Sequence, residues 1–243
     1  MQVENLELSK ITGYVAIIPA AGKGNRFGEP LAKQYQPIKG KALLDYTLDI
    51  FIQSAACEKI VLIVSAQDEN YQQLINIINH KIIVIEGGEQ RQDSVHNGLK
   101  YLFDNGLPDT TPLLIHDAVR PCLADSDLNA LLECFSEKQK PCFLAANIAD
   151  SVKKVDSNLL VLDNLNRDQL VAAQTPQMAH FIDINKAFIE ADEVKLVATD
   201  DVALLCKMGL KVEAVISKQA NFKVTRKIDL QLAELVLVQQ GRC

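Results

Sequence analysis

No stretch of the chain is long and apolar enough to cross a bilayer as a helix. The first ten residues, MQVENLELSK, lack the basic start and apolar run of a secretory signal. A cytoplasmic location, with no transit segment to remove, is therefore the expectation. Six cysteines occur (Cys57, Cys122, Cys134, Cys142, Cys206 and Cys243), but none pair as C-x-x-C and no histidine stands at zinc-finger spacing. Small buried thiols in a reducing compartment are the better reading. Positive charge is not in excess either: 25 Lys and Arg stand against 31 Asp and Glu, a net charge of −6. Such a chain gains no long-range attraction for nucleic acid. If its substrate is anionic, its cations must be gathered locally. There is no internal repeat and no low-complexity tract.

What is present is a core-forming α/β pattern. Hydrophobic residues make up 48% of the 243 positions, enough for a sizeable core. The whole chain, 1–243, reads as a single domain. Short apolar runs alternate with amphipathic segments, the rhythm of βαβ units on a largely parallel sheet. Strands are predicted over 14–19, 59–64, 81–85, 112–115, 142–146 and 211–216. Helices are predicted over 42–53, 68–79 with Asp68 as N-cap, 93–103, 125–137, 180–191, 200–208 and 226–239. Two short strands, 151–156 and 159–162, flank Ser157-Asn158, and Lys153 and Lys154 interrupt their apolar pattern. This reads as a hairpin near 148–170, either an arm that leaves the body and suits a grip on another subunit, the favoured reading, or a surface hairpin with no partner.

Ligands of open α/β sheets bind beyond the carboxyl ends of the strands, so the loops after the strands carry the argument. The first reads Ala20-Ala21-Gly22-Lys23-Gly24-Asn25-Arg26-Phe27-Gly28 and continues to Lys33. Small residues allow close backbone approach, and successive N–H groups can cradle phosphate oxygens. Arg26 and Lys33 add positive charge. A dinucleotide fingerprint would need Gly where Phe27 stands and an acid where Ser65 ends the second strand. A P-loop would need G-K-[ST], which is absent. Two readings remain, a Gly-rich turn with no ligand and G-x-G-x-R-x-G with a downstream Lys, a nucleotidyltransferase pattern; the basic residues and the place after the first strand favour the second.

Three further segments hold candidate groups. Gly87-Gly88-Glu89-Gln90-Arg91-Gln92-Asp93-Ser94 joins a strand to a helix, where paired glycines and the Ser94 hydroxyl can meet a base or ribose, or Asp93 and Ser94 can simply cap the helix. His116-Asp117-Ala118-Val119-Arg120-Pro121 ends a strand. Asp117 there can help hold Mg²⁺ or bind acceptor hydroxyls, and Arg120 can fork onto a phosphate. His116 reads as a buried imidazole supporting the loop, because a phosphate nucleophile is already ionised and needs no general base. Distal polar positions follow: Arg167, Gln174-Thr175-Pro176-Gln177, Thr199-Asp200-Asp201, and Asn221-Phe222-Lys223-Val224-Thr225-Arg226; taken singly, Thr199 reads as an N-cap and Arg167 and Lys223 as solvated surface charge, and only their joint spacing points to a site.

In order along the chain, PAAGKGNRFG with Lys33-Gln34-Tyr35, GGEQRQDSV, HDAVRP, ADSVKK, QTPQ, ATDD and NFKVTR resemble the 2-C-methyl-D-erythritol 4-phosphate cytidylyltransferases of non-mevalonate isoprenoid biosynthesis. The set runs from Pro19 to Arg226. HDAVRP, and QTPQ with NFKVTR, are its more specific parts. The resemblance implies a Rossmann-like three-layer α/β nucleotidyltransferase fold. It implies that Ala20, Ala21, Gly22, Gly88, Glu89, Ser94 and Ala118 bind CTP, and that Arg26 and Lys33 stabilise charge during transfer. Asp117, Arg120, Ser151, Arg167, Thr175, Thr199 and Lys223 would form the acceptor pocket, with Arg167 and Lys223 placing the acceptor for attack. It further implies a homodimer whose arm completes the partner's site, and Mg²⁺ or another divalent cation carried mainly on the CTP phosphates. Many members have Asp where this chain has Glu89 and Thr where it has Ser151; both changes keep the hydrogen-bonding chemistry. A ribitol-5-phosphate cytidylyltransferase is the nearest rival, although its first loop usually reads Gly-Gly where this chain has Ala21-Gly22. A nicotinamide-dependent oxidoreductase and a non-catalytic nucleotide-binding regulator are the alternatives from other classes.

Overall fold

Six consecutive residues, Tyr14–Pro19, form β1, and all but Pro19 are buried. Their side chains alternate between two separate cores. Tyr14, Ala16 and Ile18 join one cluster, and Val15 and Ile17 join another. A strand buried on both faces must lie between two layers of helices, and the computed structural model shows that arrangement. It describes Leu8 and residues 12–22, 27–28 and 31–243.

After β1 come two short paired strands, β2 (Pro37–Ile38) and β3 (Lys41–Ala42), then α1 (Leu43–Gln53), β4 (Cys57–Val64) and β5 (Ile82–Glu86). The chain continues through α2 (Arg91–Asp104), β6 (Pro112–Ile115), α3 (Asp125–Lys138) and β7 (Cys142–Asn147). A hairpin of β8 (Val152–Val155) and β9 (Val161–Leu165) follows, then β10 (Val171–His180), α4 (Phe181–Glu193), α5 (Asp201–Lys207), β11 (Glu213–Ile216) and α6 (Lys227–Gln239). Seven strands make one sheet in the order β11-β7-β10-β6-β1-β4-β5. Only β10 runs antiparallel to its neighbours. On one face α1 and α3 contribute Leu48, Phe51, Leu131 and Phe135. On the other, α2, α4 and α5 contribute Leu99, Phe188 and Leu204. The fold is thus the expected three-layer α/β architecture with a largely parallel sheet.

Two expectations need correction. The segment 68–79 is not an α-helix but two 3₁₀ turns, Asn70–Gln73 and Ile75–Ile78, separated by an extended Leu74. The buried Asp45 of α1 is the physical reason. Its carboxylate accepts from the N–H groups of Ile75 (3.2 Å) and Asn76 (3.0 Å), drawing the chain out of helical register. Asp68 does not cap a helix; its Oδ1 accepts from Asn70 N–H in a local turn. The second correction is β10, which periodicity did not reveal. Pro176 stands in its middle, and proline is excluded from a regular central strand. The register with β7 shifts between Ala173 and Gln177, and this irregularity accommodates Pro176, whose peptide bond with Thr175 is cis.

The sheet order reverses around β1. From β1 the chain builds outward through β4 and β5, then crosses to β6 on the other side. This is a topological switch point, with a crevice beyond the carboxyl ends of β1 and β6. Beneath it, α6 packs Ala233 and Leu237 with Val119, Cys122 and Val224, so the last helix supports the loops that follow β6 and β11.

The hairpin is a separate two-stranded sheet. Val155, Val161, Leu162 and Leu165 in its strands are exposed, as are Leu159 and Leu160 at its turn.

Candidate active site

The start of the loop after β1, Ala20 to Gly22, is held by a side chain from the following turn. Gln34, buried in the 3₁₀ turn Lys33–Tyr35, donates through Nε2 to the carbonyls of Ala20 (2.8 Å) and Gly22 (3.2 Å). The loop after β5 closes against it. A Cβ on Gly87 would fall 2.7 Å from Ala21 Cβ and 2.7 Å from Ser94 Oγ, so only glycine permits this approach. Ser94 shapes the same loop: its hydroxyl accepts from Gly88 N–H (3.2 Å) and donates to the Gln90 carbonyl (3.0 Å). Capping of α2 falls to Gln90 and Asp93, the latter accepting from Gln90 N–H at 2.9 Å. Helix α2 presents its N-terminus to the cleft, seated close on the sheet because Gly98 meets Ile63 and Ile17 with no side chain between.

These loops and the one after β6 line one cleft. Ala20, Ala21 and Gly22 form one wall. Gly88, Glu89 and Ser94 form another, and Asp117 and Ala118 close the floor. Lys33 and Lys223 both line it. Ten of the expected site residues therefore share one cavity although they are up to two hundred positions apart in the sequence. Arg26 lies outside the described residues.

At the centre sits Asp117, nearly buried and bonded to three cations. Its Oδ2 is 3.1 Å from Lys223 Nζ and 3.1 Å from Arg120 Nε, and its Oδ1 is 3.3 Å from Arg91 Nε. Burial alone would raise its carboxyl, but Lys223, Arg91 and Arg120 outweigh that and hold it well below the usual carboxylate range. Its main-chain N–H donates to Thr175 Oγ1 at 3.0 Å. Thr175 is also 3.1 Å from His116 Nδ1, and His116 Nε2 is 3.1 Å from the Arg120 carbonyl. A carbonyl only accepts, so Nε2 carries the proton and Nδ1 accepts from the threonine hydroxyl. Burial pushes the imidazole pKa down to about 4, so His116 is neutral and braces the loop. Arg120 is likewise tied down, its Nη1 donating to the Asn221 carbonyl at 2.7 Å. Thr175 and Arg120 thus support the floor of the cleft rather than line it.

The other expected residues fall elsewhere. Thr199 lines a smaller recess beside the cleft, which shares Gln90 and Arg91 with it. Ser151 and Arg167 are not brought to the cleft within this chain. Ser151 is exposed, and Arg167 donates to the Ala149 carbonyl at the base of the hairpin. Arg91 and Gln34 had no assigned role in the sequence. A signal for Arg91 was nonetheless there: a cation in the first turn of a helix opposes the helix dipole, so it needs acidic partners from elsewhere. As for a metal, the described residues contain no group of three or more His, Cys, Asp or Glu fit to hold an ion. Both Asp117 oxygens are engaged by cations, so among the described residues this carboxylate does not fit a divalent ion.

Glycine-lined loops, converging cations and a crevice at the switch point of an α/β sheet fit a nucleotidyltransferase. The family model for "IspD: 2-C-methyl-D-erythritol 4-phosphate cytidylyltransferase" matches residues 14–239, and the chain belongs to that family. It is 36% identical over 225 residues to the 2-C-methyl-D-erythritol 4-phosphate cytidylyltransferase of Actinobacillus pleuropneumoniae, covering 93% of this chain and 96% of that one. It is 35% identical over 232 residues to the enzyme of that name from Pelotomaculum thermopropionicum, covering 93% and 95%. The crystal structure of the Francisella tularensis enzyme superposes with a TM-score of 0.80 at 31% identity, covering 93% of this chain and all of that one.

Proposed function

We propose that this protein transfers a cytidylyl group from CTP to 2-C-methyl-D-erythritol 4-phosphate, giving 4-diphosphocytidyl-2-C-methyl-D-erythritol and pyrophosphate in isoprenoid biosynthesis. The observation that carries the reading is the gathering of cations around one cleft of a chain whose net charge is −6. An oxygen of the acceptor phosphate attacks the α-phosphorus of CTP in line, and the bond to the β-phosphate bridge breaks. Two anions must meet, so the work is positioning and charge neutralisation. Lys33 and Lys223, which both line the cleft, would do it, with Arg26 expected to join them. Ala20, Ala21, Gly22, Gly88, Glu89, Ser94 and Ala118 bind the nucleotide, whereas Asp117, Thr199 and Lys223 form the acceptor side, with Arg120 and Thr175 bracing it from behind.

Homodimerisation is part of the same proposal, with Ser151 and Arg167 serving a partner's site. An isolated two-stranded hairpin is marginal in water, and this one exposes Leu159, Leu160, Val161 and Leu162. A second copy would cover them. Mg²⁺ or another divalent cation is expected to arrive on the triphosphate. A cytoplasmic setting belongs to the same proposal. Among the described residues no helix is long and apolar enough to span a membrane.

The test is pyrophosphate release with CTP, ATP, GTP and UTP, using methylerythritol phosphate and ribitol 5-phosphate as acceptors. Release with CTP and methylerythritol phosphate alone is expected. Equal release with ribitol 5-phosphate, or none with either acceptor, would refute the assignment.

A further inference from the structure

Arg91 opens α2 at the rim of the cleft, and its guanidinium joins two carboxylates from distant parts of the chain. Nη1 and Nη2 donate to Asp201 Oδ1 (3.0 Å) and Oδ2 (2.7 Å), a two-pronged pair. Nε donates to Asp117 Oδ1 at 3.3 Å. Asp201 is the first residue of α5, and its side chain is 3% exposed. Helix dipoles explain why the contact has this polarity. An acid suits the start of α5, whereas an arginine at the start of α2 is unfavourable unless acids face it.

The neighbouring contacts extend the clamp. Asp200 caps α5 by accepting from Ala203 N–H (2.9 Å), and Gln177 of β10 accepts from Val202 N–H (2.9 Å). Gln92 holds the approach to the same helix, donating to the Leu196 carbonyl (2.8 Å) and accepting from Ala198 N–H (3.0 Å). The segment 196–203, which carries Thr199, is therefore fastened to the first turn of α2 and to β10. Short cooperative segments such as this open locally unless tied down.

We propose that Arg91 is a positioning residue for the transfer reaction: its fork on Asp201 and its bond to Asp117 lock the Thr199–Asp201 loop to the floor of the nucleotide cleft. The inference rests on the cytidylyltransferase reading and adds to it. Were Lys223 to leave Asp117 for a phosphate, Arg91 and Arg120 would still pair the carboxylate. Arg91 thereby couples the acceptor wall to the nucleotide wall. A lysine cannot replace it, because one ammonium cannot span both carboxylates with the same geometry.

The test compares Arg91→Gln, Arg91→Lys, Asp201→Asn and the double variant Arg91→Gln/Asp201→Asn. The expected result is a rise of about tenfold in KM for the acceptor, with KM for CTP changed by less than about threefold. The double variant should be no worse than the worse single one, because both remove the same contact. Amide hydrogen exchange at Val202 and Ala203 should quicken in each variant. Arg91→Lys should move every readout in the same direction, which keeps the test alive should Arg91→Gln not fold. Equal rises in both KM values, additive losses, or unchanged exchange at 202–203 would overturn the proposal. If the wild-type protein turns over neither acceptor, the functional reading fails, while the exchange measurement still decides whether Arg91 holds the start of α5.

Discussion

Replacing Asp117 by Asn takes one negative charge from among three cations while keeping the side chain's shape. Its main-chain bond to Thr175 survives, so the loss is electrostatic. Breaking a buried ion pair from one side costs about 3–5 kcal/mol. Here each cation retains some compensation. Arg91 keeps Asp201, Arg120 keeps the Asn221 carbonyl, and Lys223, 38% exposed, can turn to water. The expectation is therefore at the low end, about 3 kcal/mol. Urea unfolding checks it as a fall in midpoint with an unchanged slope. Pyrophosphate supplies a second arm. The freed cations of Asp117→Asn should bind it more tightly than the wild type does, and should regain more stability by mass action. A cost below about 1 kcal/mol would class these contacts with weak surface pairs. An equal response of both proteins to pyrophosphate would refute the claim that the cations share one anion site.

Lys33→Ala and Lys223→Ala should each lose on the order of 100-fold in kcat while melting cooperatively; near-normal turnover in either would count against their roles. His116 should make stability fall with acid. Its folded pKa, about 4, lies below the unfolded value of roughly 6.5, so the unfolded state binds the extra proton between them. Stability is then full above about pH 6.5 and declines toward pH 4 by up to about 1.4 kcal/mol per unit. His116→Gln should flatten that decline in pH-dependent urea titrations, and an unchanged slope would exclude the imidazole as its source. Gly87→Ala should cost about 1–3 kcal/mol and weaken CTP binding, because the new methyl meets Ala21 and Ser94 at 2.7 Å; calorimetric titration showing wild-type affinity would contradict the role of that close approach. Leu160→Asp with Leu162→Asp should convert a dimer to monomers by sedimentation, with loss of turnover, and a persistent dimer would move the interface away from the hairpin.

Much of this protein was legible in its residues. A strand such as Tyr14–Pro19 announces itself through an unbroken apolar run, and α1 through a periodic face. The chemistry was legible less in any single glycine-rich loop than in the ordered set of motifs from Pro19 to Arg226, and the family model matches residues 14–239. Legibility failed where a distant group overrode the local pattern. The carboxylate of Asp45 broke the helix foreseen at 68–79, and Pro176 hid β10, whose irregular register only its neighbours define.

Local sequence determined which loops could approach a triphosphate, since backbone freedom and side-chain charge are properties of the residues themselves. Only the tertiary structure decided that Asp117 would be enclosed by Arg91, Arg120 and Lys223. The neutral, supporting His116 agrees with its reading from sequence, but its burial and the enclosure of Asp117 depend on groups far along the chain, which local pattern does not place.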